Sequence, residues 1–213
     1  MKNQINAFFT SKEIKLEDFD VEIWRQSESI EINRYWSGEQ APAERCASAR
    51  ILWNETKLFA RFDCRQGEPF IINRNPNLEI EAEELWERDC CEIFIAPNSN
   101  EPEKYFEFEA APTGEWLDFA IRQLPDKREV NKTYNAGMKT AACIQKDSFT
   151  VVFSVEFERA FGKKPEAGEA WRANLFRCVG SGETRGYLAW QPTFTPKPSF
   201  HVPGVFGIIK FTK

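Results

Sequence analysis

The stretch that decides the fold is YFEFEAAPTGEWLDFAIR, residues 105–122 of the chain. Apolar and polar residues alternate on both sides of the turn signal Pro112-Thr113-Gly114, and this alternation is typical of β-strands. Two such runs joined by a short turn predict a hairpin. We expect its strands over Tyr105–Ala110 and Trp116–Arg122.

The faces of this hairpin follow from the same alternation, because successive side chains of a strand point to opposite sides. We expect the core face to carry the apolar members of both strands, namely Phe106, Phe108, Ala110, Leu117, Phe119 and Ile121. A turn over residues 111–114 sets Glu107 opposite Asp118 on the other face. Like charges that face each other destabilise a sheet. Either this face is solvated, or the pair is compensated by Arg122, by bound calcium or by ligand hydroxyls. A calcium site needs several oxygen ligands, and no EF-hand loop is present to supply them. Apart from this calcium alternative, no cofactor is predicted.

Similar runs recur along the chain between polar or Gly/Pro-rich turn clusters. They are Ala49–Trp53, Leu58–Cys64, Cys90–Ala96, Met138–Gln145, Phe149–Phe157, Trp171–Val179 and Phe206–Phe211. A Rossmann-type sheet needs helices of roughly 10–15 residues between strands, and such segments are missing. The pattern predicts an all-β chain, an antiparallel β-sandwich or jelly-roll with short helical or irregular insertions. We expect residues 1–213 to form a single domain, with residues 1–35 as an N-terminal strap.

Composition argues against several classes of partner. The 213 residues are 42% hydrophobic, with a formal net charge of −5. No run approaches the roughly 20 apolar residues that cross a bilayer, so no membrane partner is predicted. An acidic chain without a basic run is a poor binder of phosphate backbones, which argues against nucleic acid. Seven tryptophans exceed what one core of this size needs, so we expect some to face solvent or a ligand.

The ends and the cysteines bear on cellular location. Residues 1–10 show no apolar segment followed by a small-residue cleavage site, so we expect a cytoplasmic protein, with a secreted protein that has lost its signal as the alternative. The cysteines show no spacing typical of metal ligands. Cys90 and Cys91 are neighbours in one run and should face opposite sides. We expect reduced, buried thiols, with one or two disulfides as the alternative.

Catalytic signatures are weak. His201 is the single histidine, which excludes a histidine-rich metal centre, and we expect it to be packed and hydrogen-bonded rather than a base. A Gly-x-Ser-x-Gly elbow is missing. Glycoside hydrolysis requires a pair of carboxylates, and the candidate pair for that alternative is Glu92 with Glu107 or Asp118.

Several motifs, taken in order, resemble the family-9 carbohydrate-binding module of the DOMON-like β-sandwich superfamily. They are WERDCCEIFI (86–95), YFEF (105–108), PTG (112–114), WRANLFR (171–177), WQPT (190–193) and FHVP (200–203), within roughly residues 45–211. The resemblance implies a β-sandwich in which two tryptophans clamp the terminal sugar of a glucan or xylan, typically at its reducing end. By position, Trp86 and Trp190 are the clamp, and Glu92 hydrogen-bonds the sugar hydroxyls.

The same resemblance implies an arginine on the next strand, where this chain has Glu107. Four further residues complete the predicted ligand-binding set: Glu107, Arg122, Arg172 and Asn174. These residue types suit any sugar-binding site, because flat aromatic rings bury the C–H faces of a pyranose while polar side chains form hydrogen bonds with its hydroxyls.

The predicted function is therefore non-catalytic binding of an oligosaccharide or polysaccharide end, associated with glycoside hydrolases and carbohydrate catabolism. Three alternatives stay open. One is a glycan-processing enzyme. Another is a haem-binding sandwich, for which only Met138 and His201 are available as ligands beyond the initiator. The last is a protein-interaction domain with an exposed tryptophan patch.

Overall fold

Strands dominate the computed structural model, which describes residues 3–20 and 22–213. In chain order the strands are β1 (Gln4–Phe9), β2 (Ile30–Ile32), β3 (Arg34–Tyr35), β4 (Ala47–Trp53), β5 (Lys57–Arg65), β6 (Cys90–Ala96), β7 (Lys104–Ala110), β8 (Trp116–Gln123), β9 (Arg128–Asn131), β10 (Lys139–Ile144), β11 (Ser148–Glu156), β12 (Ala170–Val179), β13 (Gly186–Ala189) and β14 (Gly207–Thr212). The helices are short: α1 (Glu22–Gln26), α2 (Phe157–Phe161) and the 3₁₀ turns Ala43–Arg45, Leu85–Glu87, Gly182–Thr184 and Pro203–Val205. The predicted all-β fold with short insertions is confirmed.

Hydrogen bonds join most strands into one path, β10-β11-β5-β4-β1-β14-β12-β6-β7-β8-β9, with β13, β2 and β3 attached beside it. The path folds back on itself into facing layers. Evidence comes from contacts between its distant halves: the thiols of Cys64 on β5 and Cys91 on β6 are 3.2 Å apart, and the rings of Phe108 on β7 and Phe153 on β11 are 6.4 Å apart. These contacts lie in the main core, which also includes Ile93 and Leu175.

Part of the predicted N-terminal strap is built into the sheet. Strand β1 lies between β14 and β4 and pairs with both in parallel, so the sheet is mixed rather than wholly antiparallel. The residues that follow do lie across the outside of a layer, where Ile14 and Trp24 pack against Leu52 and Phe59. The organisation of the chain as a single domain stays a prediction.

The β7–β8 hairpin forms as predicted, but its register differs by one residue. Its turn covers residues 111–115, closed by the Ala111 N–H donating to the Glu115 carbonyl at 2.9 Å. Consequently Glu107 lies opposite Phe119, and Asp118 lies opposite Phe108. The predicted Glu107–Asp118 pair is therefore wrong, and the calcium alternative that rested on it loses its basis.

A one-residue slip moves every side chain of a strand to the other face. On β8, Trp116 accordingly belongs to the main core, although the expected core face of the hairpin did not include it. Leu117 and Ile121 instead join a second apolar cluster on the other face. The faces of β7 are as predicted, with Phe108 and Ala110 in the main core.

The second cluster, here called the outer cluster, covers the outer face of β6, β7 and β12. Its members include Leu85, Cys90, Phe94, Tyr105, Phe176, Phe200 and Phe206. The segment 198–206 packs over the strands there, with the ring of Phe200 stacked on that of Phe176 at 4.0 Å. A face that sheet alternation alone would leave to solvent is thereby buried.

Within the part of the chain that the structure describes, the helices are too short and too polar to cross a membrane.

Candidate functional site

A cavity of about 470 Å³ opens on the outer face of β6, β7 and β8, within the size range of ligand pockets. Its aromatic lining consists of Trp86, Phe119, Tyr187, Phe200 and His201. Its deepest polar residues are Glu92, Glu107 and Cys178, and its exposed rim carries Arg128 and Lys132. Apolar rings beside buried carboxyl groups and rim cations suit a ligand with both apolar faces and hydroxyls.

Trp86 is 37% exposed, yet its backbone is fixed. It lies in the 3₁₀ turn Leu85–Glu87, which follows Glu84 in a left-handed conformation (φ 50°), and Leu85 anchors the turn in the outer cluster. The Arg185 guanidinium donates to the Trp86 carbonyl and to the Arg88 carbonyl, the latter at 3.0 Å. The indole is thus presented to solvent from a rigid loop.

Tyr187 on β13 is the second aromatic wall. Its ring meets Phe200 edge-on at 5.9 Å and Trp36 edge-on at 6.3 Å, and its carbonyl accepts a hydrogen bond from the Trp36 N–H at 2.9 Å. Arg185 lies over the same ring at 5.3 Å, so one guanidinium connects the Trp86 loop to Tyr187.

Trp190 is not at this cavity, which corrects the predicted pair of clamping tryptophans. It is 5% exposed and belongs to the main core. A Cβ at Gly207 would lie 2.5 Å from the indole, so the ring packs directly on the backbone of β14. The reason is alternation: Leu188 and Trp190 share the main-core side, whereas Tyr187 faces the cavity.

Glu92 and Glu107 line the cavity as predicted, but both are almost fully buried. Burial raises the pKa of Glu92 well above its usual range, and the neighbouring Cys178 and Glu107 add to the effect. Burial also raises the pKa of Glu107 to about 7, although Glu109 and Arg128 oppose the shift. Arg88 pairs with Glu115 at 3.5 Å rather than with Glu92, and Arg122 is exposed on β8.

Three other predicted site residues lie outside the cavity lining. Arg122 is exposed on β8, opposite Lys104 and Glu129. Arg172 donates to the Gly204 carbonyl at 3.3 Å.

Asn174 is fully buried, and its side chain forms hydrogen bonds with backbone groups. Its Oδ1 accepts from the N–H groups of Leu175 and Gln191, both at 2.9 Å, and its Nδ2 donates to the Gln191 carbonyl at 2.8 Å. It therefore fixes the segment that follows Trp190.

Sequence reasoning missed Arg128, Tyr187 and Phe200. Tyr187 could have been found from the sequence. If the apolar Leu188 faces the core, strand alternation places Trp190 on that same side and Tyr187 on the opposite face. Arg128 gave no local signal. It reaches the cavity from the edge strand β9 and supplies a cation near Glu107, whereas the resemblance implied an arginine on β7.

His201 is packed and hydrogen-bonded, as expected. Its Nδ1 lies 2.8 Å from the Tyr105 hydroxyl, and its ring is 5.1 Å from that of Phe94. Burial lowers its pKa to about 3, and the nearby Arg128 contributes. The imidazole is therefore neutral at pH 7 and serves as an aromatic wall with a fixed hydrogen bond.

Comparison with known proteins adds to this geometry. A family model described as carbohydrate family 9 binding domain-like matches residues 19–213. A solved structure from Bacteroides uniformis has a TM-score of 0.76 at 16% identity, covering 98% of both chains. A family-9 carbohydrate-binding module of Caldicellulosiruptor kristjanssonii, solved with glucose, has a TM-score of 0.69 at 15% identity, covering 98% of this chain and 95% of its own. The cellotriose complex from that organism has a TM-score of 0.68 at 15% identity, covering 98% of this chain and 93% of its own.

One relative corrects the expected location. An extracellular protein of Arthroderma benhamiae is 23% identical over 175 residues, which are 76% of this chain and 77% of that protein. The expectation of a cytoplasmic protein is wrong on this finding. It rested on a missing signal pattern in residues 1–10, and such an absence says little about where a protein resides.

The family model spans nearly the whole chain and agrees with the motifs in the WERDCCEIFI, YFEF and WRANLFR segments. It confirms the resemblance on which the predicted class of function, non-catalytic carbohydrate binding, rests. The chain belongs to the carbohydrate family 9 binding domain-like family.

Proposed function

We propose that this protein binds the terminal sugar of a glucan- or xylan-type oligosaccharide, without cleaving it, in the cavity between Trp86 and Tyr187. The observation that carries the proposal is an exposed indole on a rigid loop beside a cavity whose deepest groups are carboxyls. The glucose and cellotriose complexes of the similar Caldicellulosiruptor module support the same class of ligand.

The chemistry of the lining suits a neutral sugar. Aromatic rings bury the apolar C–H faces of a pyranose. A carboxyl group accepts hydrogen bonds from hydroxyls and, when protonated, also donates one, so Glu92 and Glu107 can meet sugar hydroxyls at the base of the cavity. Arg128 and Lys132 add donors at the rim. Since buried polar groups left unpaired are costly, this placement selects for a matching set of hydroxyls.

The site extends beyond one sugar. A groove of about 810 Å³ shares Trp86, Phe119 and Lys132 with the cavity and continues along the acidic segment 79–84. The rings of Trp86 and Phe119, 6.5 Å apart, stand between the two spaces. We infer an oligosaccharide whose terminal unit occupies the cavity and whose next units cross Trp86 into the groove.

Isothermal titration with glucose, cellotriose and xylotriose tests the proposal. We expect the trisaccharide to bind more tightly than the monosaccharide, and Trp86→Ala to abolish detectable binding. Phe194→Ala is the matched control, because Phe194 is a 65% exposed aromatic residue outside the cavity lining. Borohydride-reduced cellotriose tests for recognition of the reducing end. Equal binding by Trp86→Ala, or no heat at millimolar sugar, would overturn the proposal.

One observation favours hydrolysis as a second candidate. Carboxylate oxygens of Glu92 and Glu107 lie within 4.8 Å of each other, near the spacing of about 5–5.5 Å between the carboxyls of retaining glycosidases. Release of reducing sugar that Glu92→Gln abolishes would support this candidate. Association with glycoside hydrolases and a role in carbohydrate catabolism stay predictions.

A further inference from the structure

Four side chains of metal-ligand types lie in an array beneath the cavity, and the donor atoms of three of them, Cys90, Glu92 and Cys178, all lie within 4.8 Å of one another. Cys90 on β6 lies directly opposite Cys178 on β12, and Glu92 on β6 lies directly opposite Glu109 on β7. Because Cys90 and Glu92 are two residues apart on one strand, all four point to the same face. The array is thus built on three adjacent strands rather than on a loop.

The donor atoms of Cys90, Glu92 and Cys178 converge. The Sγ atoms of Cys178 and Cys90 lie 3.3 Å and 3.6 Å from Glu92 Oε1, and Cys90 Sγ lies 3.9 Å from Glu109 Oε2. Tetrahedral zinc with Zn–S of about 2.3 Å and Zn–O of about 2.0 Å separates its sulfur and oxygen ligands by about 3.5 Å. The two separations from Glu92 Oε1 bracket that value, whereas Glu109 lies farther out.

One carboxylate oxygen beside these ligands also lacks a hydrogen-bond partner among the described residues. Glu109 is 0% exposed, and its Oε1 has no hydrogen-bond partner among residues 3–20 and 22–213. A buried acceptor without a partner is costly and calls for an unseen ion or water. Neighbouring Glu107 is another carboxyl, so the cluster holds more acidic groups than cations.

We propose that Cys90, Cys178 and Glu92 bind a divalent cation of the zinc class. Two thiolates select a borderline-soft metal over calcium or magnesium, and the Glu92 carboxylate is the third protein ligand, which leaves the fourth tetrahedral position for water. Glu92 and Cys178 also line the cavity, which gives the ion an entry path. Arg185, close to Cys178, offsets part of the negative charge of the ligands.

Titration of the reduced protein with Co²⁺ tests this site, because cobalt reports thiolate ligation by charge-transfer absorption and tetrahedral geometry by its visible bands. We expect both signals to saturate at one equivalent and zinc to displace them. Cys178→Ser should weaken the charge-transfer band by half or more, because one of the two thiolates is lost. Cys46→Ser is the matched control, since Cys46 is a partly exposed thiol outside the array, and it should leave the spectrum unchanged.

A second measurement keeps the test valid if a variant folds poorly. Zinc should raise the melting temperature of the unmodified, reduced protein, because a ligand of the folded state stabilises it. No charge-transfer band and no zinc-dependent shift in the unmodified protein would overturn the proposal. So would a band of unchanged intensity in Cys178→Ser. Neither readout involves sugar, so this result is independent of the carbohydrate proposal.

Discussion

The two faces of β6 are equally buried but differ in chemistry. One face presents Cys91, Ile93 and Ile95 to the main core. The other presents Cys90, Glu92 and Phe94 to the outer cluster and the cavity. A face filled with interlocking apolar side chains stabilises the fold, whereas carboxyls on a covered face cost stability unless a ligand or ion satisfies them. Burial alone therefore does not identify the core of this protein, and the polar buried face is where binding is expected.

The largest expected effect contrasts two tryptophans. Trp190→Ala removes a ring packed in the main core and should lower the free energy of unfolding by about 3–5 kcal/mol. Trp86→Ala removes an exposed ring and should change it by about 0.5 kcal/mol or less. Urea unfolding of both variants measures the difference. Similar losses in the two would contradict the division of the molecule into packing and binding faces.

The next effect concerns Asp118, a buried carboxyl on the main-core side of β8. Burial raises its pKa to about 7, with Glu81 adding to the shift and the Ala136 N–H and Arg159 opposing it. Between about pH 4 and pH 7 the folded protein holds a proton that the unfolded chain has released. The stability of the unmodified protein should therefore fall as pH rises through this range and then level off.

Asp118→Asn removes the titration and keeps an acceptor for the Ala136 N–H. Relative to the unmodified protein, its stability should rise with pH, by up to about 3 kcal/mol between pH 4 and pH 8. Urea unfolding across that range measures it. Asp126→Asn is the exposed control and should show no such trend. A stability difference for Asp118→Asn that is constant with pH would contradict the prediction.

A smaller effect sharpens the role of Tyr187 on the polar face. Tyr187→Ala should weaken cellotriose binding by about 1–1.5 kcal/mol, because an aromatic wall is lost. Tyr187→Phe should retain most of the affinity if the ring rather than the hydroxyl makes the contact. Titration calorimetry separates these outcomes, and equal losses in both variants would assign the contribution to the hydroxyl.

The smallest effect compares two arginines. Arg128→Ala should cost about 0.5–1.5 kcal/mol of cellotriose binding, as expected for one rim hydrogen bond. Arg122→Ala should leave affinity unchanged, because Arg122 lies outside the cavity lining. The same titration tests both. If only Arg122→Ala weakened cellotriose binding, the ligand-binding arginine would be Arg122, as predicted from the sequence.

Sequence reasoning succeeded where the information is local. The β6 strand was predicted with its observed bounds, Cys90–Ala96, and alternation placed Cys90 and Cys91 on opposite faces. The family was identified through motifs that include Trp86, Glu92 and Glu107, and the family model confirms the family; the binding roles of these residues stay predictions. Reasoning failed at the β7–β8 turn, where one extra residue reversed the faces of β8. It failed again at Trp190, whose alternation with Tyr187 was not used.

What the sequence determined by itself was most of the longer strands, their alternation and the family, because each depends on neighbours along the chain. The tertiary structure alone decided that the segment 198–206 covers the outer face of β6 and β7, that Arg128 reaches Glu107 from another strand, and that Cys90 meets Cys178. The physical reason is that these contacts join residues far apart in sequence. Their chemistry is set by proximity across strands, which no local period encodes.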